Sequence, residues 1–172
     1  MEDANFMEYC YDEFDLNKDG KVSLSEAAAA REIIVYQRDI YSLKGIEYFV
    51  NVTILDCTRN EITELDLSNN TKLQKVNCSN NKIFSLNVSG CTKLIEVWCD
   101  YNKLSYIDLS QTTALKKLEC SNNKLVSLDL SKCPMFYKLN CWGNPINTIY
   151  WGESKIHSFH INKPRGCKIE RK

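Results

Sequence analysis

The sequence predicts an α/β solenoid of stacked parallel strands with a helical cap at its N-terminal end. Three observations carry this expectation. Cys57, Cys78, Cys99, Cys120 and Cys141 recur every 21 residues. Apolar and polar residues alternate just ahead of each of these cysteines, as in Val76 and Cys78 set among Lys75, Asn77 and Ser79. An Ala-rich stretch of helical character precedes the first regular unit.

The repeat extends well beyond the cysteines. Asn60, Asn81, Asn102, Asn123 and Asn144 keep the same step, as do Ile62, Ile83, Leu104, Leu125 and Ile146. So do Val52, Leu73, Leu94, Leu115 and Phe136, and likewise Leu55, Val76, Val97, Leu118 and Leu139. A fixed period of this length is the signature of a stacked-repeat architecture. Each unit is too small to bury its own apolar edge, so neighbouring strands must stack, about 4.8 Å apart, to make one core. The Asn column fits a ladder of amides serving buried loop backbone groups, each of which needs a partner.

At these residues the chain resembles the leucine-rich-repeat family, and most closely the bacterial cysteine-type repeats of the kind found in internalin J. There a Cys takes the place of the third Leu of the L-x-x-L-x-L-x-x-N pattern. The resemblance covers roughly residues 31 to 161. It implies a curved solenoid whose parallel β-sheet lines the concave face. At the N-terminal side, Ile33-Ile34-Val35 continues the strand column with Val35 in the Cys position. At the far side, Ile156-x-x-Phe159-x-Ile161 repeats the strand spacing with Ile161 in the Cys position. Seven strands are expected, five regular and two degenerate, with Pro164 marking the end because proline cannot donate to a ladder. The organisation read from this is a cap at 1–31, a solenoid at 32–161 and a tail at 162–172.

Residues Asp15-Leu16-Asn17-Lys18-Asp19-Gly20-Lys21-Val22-Ser23-Leu24-Ser25-Glu26 match the 12-residue EF-hand loop position by position. Asp15, Asn17 and Asp19 stand at positions 1, 3 and 5, and Gly20 stands at the sharp turn. Lys21 offers its carbonyl, Ser23 a hydroxyl or a bound water, and Glu26 two oxygens at the closing position. A hard cation wants such an oxygen cage, so calcium is the expected cofactor. Phe6, Cys10 and Phe14 give the entering helix one apolar face, and Ser25 to Ile33 are expected to carry the exit helix. No second EF-hand follows, so the role expected is structural: a calcium-stabilised cap over the open solenoid end. Together with Leu43-Lys44-Gly45-Ile46-Glu47-Tyr48-Phe49, the segment is similar to the N-terminal caps of bacterial secreted repeat proteins.

The remaining composition narrows function. Lys plus Arg and Asp plus Glu are 22 each, so the formal net charge is zero. Nucleic acid and anionic lipid both demand a basic footprint, and neither is expected as a partner. No apolar run is long enough to span a membrane. The start, Met1-Glu2-Asp3-Ala4, has no apolar signal core. The expectation is therefore either a cytoplasmic chain or one from which a processed signal was removed, and the cap resemblance favours an extracellular or cell-surface location. The nine cysteines are expected to be free thiols. Five point inward as small core residues, and Cys91 and Cys133 lie too far apart to bridge. No nucleophile elbow, phosphate loop, metal triad or carboxylate pair stands out, so no catalytic residue is expected. His157 and His160 lack a third zinc ligand.

The outward strand positions fall into three columns. Lys75, Glu96 and Lys117 in the first suggest a cross-strand charge ladder. Trp98 in the second and Trp142 in the third are costly to leave wet and are typical of binding hot spots. With Asp100 and Tyr101 they form the candidate ligand surface, for a protein or a glycan. The resulting expectation is a monomeric, non-enzymatic, secreted or surface-attached bacterial binding module. A calcium-responsive regulator and an enzyme accessory domain are the alternatives.

Overall fold

A computed structural model describes residues 3–153 and 158–172. Two α-helices lead the chain, α1 (Ala4–Phe14) and α2 (Leu24–Ala29). Twelve short strands follow among the described residues: β1 (Glu32–Ile34), β2 (Ile54–Asp56), β3 (Glu64–Asp66), β4 (Lys75–Asn77), β5 (Ser85–Asn87), β6 (Glu96–Trp98), β7 (Lys117–Glu119), β8 (Ser127–Leu130), β9 (Lys138–Asn140), β10 (Thr148–Trp151), β11 (His160–Asn162) and β12 (Lys168–Arg171). The main sheet has seven parallel strands in the order β1-β2-β4-β6-β7-β9-β11. Its register sets Ile33, Leu55, Val76, Val97, Leu118, Leu139 and Ile161 in one inward row. The fold is thus a parallel-sheet solenoid with a single continuous core.

The Asn ladder does what buried backbone requires. Asn102 Nδ2 donates to the carbonyls of Cys78 (2.9 Å) and Cys99 (3.2 Å), while its Oδ1 accepts from Ile83 N (2.9 Å). Asn81, Asn123 and Asn144 repeat the arrangement one turn apart. Each amide therefore ties its own repeat to the one before it. All nine cysteines are free and buried. The residue ahead of each ladder Asn is left-handed: Arg59, Asn80, Tyr101, Asn122 and Gly143 all have positive φ. At Gly143 a Cβ would come within 2.5 Å of Asn122 Oδ1, so any larger residue there would have to displace the Asn122 amide.

The cap covers the first strand. Asp3 caps α1 by accepting from Phe6 N at 3.0 Å, and its other oxygen takes Tyr41 N at 2.7 Å. Phe6 and Cys10 are buried as the helical spacing predicts, and Phe14 is partly buried against the core. Tyr9 is buried too, and its hydroxyl accepts from Ile34 N at 3.0 Å, occupying a donor on the open edge of the sheet. The exit helix is shorter than expected. It starts behind a capping box between Ser23 and Glu26 and ends at Ala29, not Ile33. Arg31 Nη1 takes up the carbonyls of Ala28, Ala29 and Ala30, and the β-branched Ile33 and Ile34 go to strand.

The C-terminal end differs from expectation in two ways. Ile161 pairs in register with Leu139, so it holds the strand position and not the Cys position. The step there lengthens to 22 residues, and Phe159 is left 38% exposed, edge-on to Trp151 at 5.0 Å. Ile156, the start of the expected pattern, lies outside the described residues. Pro164 does not end the structure either. It sits in the turn before β12, which adds in parallel to β10 in a second sheet ordered β12-β10-β8. The residues expected as a free tail therefore contain a strand. A further two-stranded sheet, β3-β5, continues this return row, whose inward positions Leu65, Leu86, Ile107, Leu128 and Ile149 are again 21 residues apart.

Candidate functional site

The main sheet presents an outer face two columns wide, followed by a turn. In-register pairing puts Lys75 beside Glu96, Glu96 beside Lys117, and Trp98 beside Asn77 and Glu119. Lys75 Nζ stands 3.9 Å from Glu96. Lys117 does not complete that ladder. Its ammonium lies 4.5 Å from the Trp98 ring centre and 4.0 Å from Glu119, while Lys138 reaches Glu119 at 3.0 Å. Glu119, with only 12% of its side chain exposed, is thus held between two lysines. It raises the pKa of Lys138 through a hydrogen bond and its charge. Trp98 is half-buried beneath the Lys117 ammonium rather than free.

The third outward column is closed in its middle and open at its ends. Thr58, Ser79 and Ser121 are buried there, while Tyr36 and Trp142 stay exposed. Asp100 is tied into this row: its Oδ1 accepts from Ser121 N at 2.8 Å and from Ser121 Oγ at 2.6 Å. Thr58 Oγ1 is buried with no hydrogen-bond partner among the described residues.

Three large aromatics stay exposed along this side: Tyr36 (46%), Tyr101 (58%) and Trp142 (57%). Tyr101 holds φ +53°. Asn80, Asn122 and Gly143 tolerate that conformation at the equivalent positions, whereas an aromatic pays for it with strain. Arg59 Nη1 donates to Tyr36 Oη at 3.0 Å, and the guanidinium carbon Cζ lies 5.8 Å from the Tyr36 ring centre. A shallow hollow brings together Tyr36, Arg59, Asn77, Asn80, Asp100 and Tyr101, with Asn140 at its far side. Of the four expected ligand residues, Asp100 and Tyr101 line this hollow; Trp98 and Trp142 do not. Trp142 stands in the turn after β9, two strands from β6, about 10 Å along the sheet. Sequence reasoning missed the Tyr36–Arg59 pair and the role of Glu119, since both depend on which neighbour each side chain chooses.

The loop between the helices folds around its own carboxylates. Asp15 accepts from Asp19 N at 3.1 Å and from Gly20 N at 2.8 Å. Asn17 Oδ1 accepts from Asp19 N at 2.9 Å, and Asp19 Oδ1 from Lys21 N at 3.0 Å. Gly20 takes φ +81°. Glu26 reaches back from α2, accepting from Leu16 N at 2.9 Å and from Ser23 N and Oγ at 2.9 and 2.7 Å. These bonds to Ser23, with those to Asn17 and Leu16, lower the Glu26 pKa. Among the described residues no three His, Cys, Asp or Glu side chains are gathered closely enough to hold a metal between them. His160 is exposed on β11, and His157 lies outside the described residues. No described helix is long and apolar enough to cross a membrane.

Solved structures share this fold. An internalin, InlF from Listeria monocytogenes str. 4b F2365, matches with a TM-score of 0.55 at 20% identity, over 97% of this chain and 64% of its own. TLR13, solved in complex with ssRNA13, matches with a TM-score of 0.59 at 20% identity, over 77% of this chain and 25% of TLR13. The functional domain of InlJ from Listeria monocytogenes, which includes a cysteine ladder, matches with a TM-score of 0.45 at 21% identity, over 87% of this chain and 50% of that domain. The chain thus spans less than two thirds of each of these proteins. No protein-family model matches the sequence, and no curated protein does. The architecture is that of a parallel-sheet solenoid resembling the leucine-rich-repeat internalins.

Proposed function

We propose that the chain is a non-enzymatic binding module that takes a protein or glycan on the outer face of its main sheet. The observation that carries this is the exposed aromatic row Tyr36, Tyr101 and Trp142. It stands beside a hollow of amide and hydroxyl side chains, with Asp100 fixed by Ser121. Aromatic faces with a few oriented polar groups suit both sugar rings and peptide segments. The likeness in fold to internalins, and to a receptor solved with a bound ligand, supports a recognition role, though at 20% identity it supports no particular partner. TLR13 was solved with RNA, but a formal net charge of zero argues against nucleic acid here.

The second element of the proposal is a structural calcium ion in the cap, with Asp15, Asn17, Asp19, Ser23, Glu26 and the Lys21 carbonyl as ligands. The oxygen donors follow the EF-hand order, and the loop already turns at Gly20 with Asp15, Asn17 and Asp19 folded inward. Glu26 would have to exchange its bonds to loop N–H groups for the ion. A secreted or surface-attached location, where calcium is plentiful, fits this use.

Arraying the protein against glycans and candidate proteins, with and without chelator, tests both parts. Binding that is lost in Trp142→Ala and Tyr101→Ala but persists in chelator supports the module with a structural ion. Binding indifferent to both substitutions moves the site elsewhere. Calorimetry of chelated protein should show heat on adding calcium, much reduced in Glu26→Gln, and silence at millimolar calcium would remove the ion from the proposal.

A further inference from the structure

We infer a second binding site, in the N-terminal cap, for a single-chain amphiphile with a carboxylate head. A hollow of about 430 Å³ lies between α1, α2 and the short 3-10 turn at Ile46–Tyr48. That volume falls within the roughly 300–1,000 Å³ of small-ligand pockets, and its lining of apolar side chains with few polar groups is of the same kind. Its floor is made by Phe6, Cys10, Ala27 and Phe49, all buried.

The mouth carries two independent signals. Tyr11, Leu24 and Tyr48 stay 39%, 70% and 56% exposed around it, leaving an uncovered apolar rim next to the apolar hollow. Clustered exposure of this kind marks interaction sites more than scattered surface residues do. Lys21 and Lys44 also line the hollow, from the α1–α2 loop and from the segment before the 3-10 turn. Neither forms an ion pair among the described residues, and no described acidic side chain lines the hollow.

An apolar interior with only positive charge at its mouth fits a molecule with an apolar tail and an anionic head. The two ammonium groups would meet the carboxylate while the chain displaced water from Phe6, Val22 and Phe49. This site shares no residue with the outer face of the main sheet, and it borders the proposed calcium loop at Lys21 and Val22, using the Lys21 ammonium where the ion would take the carbonyl.

The test uses the full chain with dodecanoate, dodecanol and an acidic amphipathic peptide as probes, followed by calorimetry below the micellar concentration of dodecanoate. Dodecanoate is expected to bind one to one. The double variant Lys21→Gln, Lys44→Gln should weaken it about fivefold, the equivalent of about 1 kcal/mol for partly exposed charge pairs, and leave dodecanol unchanged. Both lysines are exposed, so the variant should keep its fold. Val22→Trp, which fills the half-buried wall, should weaken both alkyl probes together. Absence of dodecanoate binding, equal loss of dodecanol in the lysine variant, or binding of the peptide alone would each overturn the inference.

Discussion

The Lys117 ammonium lies 4.5 Å from the centre of the Trp98 ring, across one strand boundary of the main sheet. The same lysine stands 4.0 Å from Glu119 on its own strand. Trp98 is therefore partly structural. Trp98→Ala should lower stability by about 1–2 kcal/mol through lost burial and cation–π contact. Trp142→Ala, at a residue 57% exposed, should leave the melting temperature within error. Chemical denaturation of both variants checks this. Equal destabilisation by the two would mean that Trp142 is packed as firmly as Trp98.

Asn102 shows what the amide ladder is worth. Replacing it with Ala would strand Ile83 N–H in the interior, while the Cys78 carbonyl would keep Asn81 Nδ2 at 3.1 Å. An unpaired buried group costs about 1–3 kcal/mol, and a loss of that size is expected. Asn102→Asp should be at least as harmful, because it trades a donor for a charge that faces the carbonyls of Cys78 and Cys99. A loss under about 1 kcal/mol in denaturant titrations would show that the turns satisfy themselves without the ladder.

The thiols should be unreactive in the native state. Burial pushes Cys10, Cys78 and Cys141 up to about 12, and Cys91 and Cys133 up to about 11. Since the thiolate is the reacting form, a disulfide reagent at mildly alkaline pH should label none of the nine quickly. All nine should count after denaturation without reductant. A shortfall after unfolding would reveal a disulfide, and rapid native labelling of most thiols would contradict their burial.

Acid should loosen the C-terminal strand first. Partial burial works against ionising Asp129, but Lys172 at 2.6 Å and the bonds from Ser131 hold its carboxyl down to about 2. A carboxylate whose folded pKa lies below its unfolded value, near 3.9, contributes fully above that value. The contribution fades as pH falls from about 4 through about 2. Both partners are well exposed, so the effect is local and modest. Amide exchange in β12 should rise over that pH range, and Lys172→Met should abolish the pH dependence there. An unchanged profile in that variant would mean that another group governs the strand.

The sequence by itself determined the interior of the solenoid. A 21-residue step in five columns dictates which side chains face inward, because each repeat meets only its neighbours and in-register stacking copies one decision along the chain. The row Leu55, Val76, Val97, Leu118 and Leu139, the five ladder cysteines and the Asn amides followed from that period alone. Tertiary structure decided what the period does not repeat. At the C-terminal end the step changes, and the position of Ile161 is chosen by its pairing with Leu139. Strand β12, Lys-Ile-Glu-Arg, carries little apolar signal of its own and exists through its pairing with β10. On the outer face, Lys117 had Glu96, Glu119 and Trp98 within reach, and packing settled it on the last two. Inward positions are fixed by exclusion from water, which any apolar residue satisfies in the same way. Outward charges and strand ends choose between partners of similar energy, and only the full set of neighbours breaks that tie.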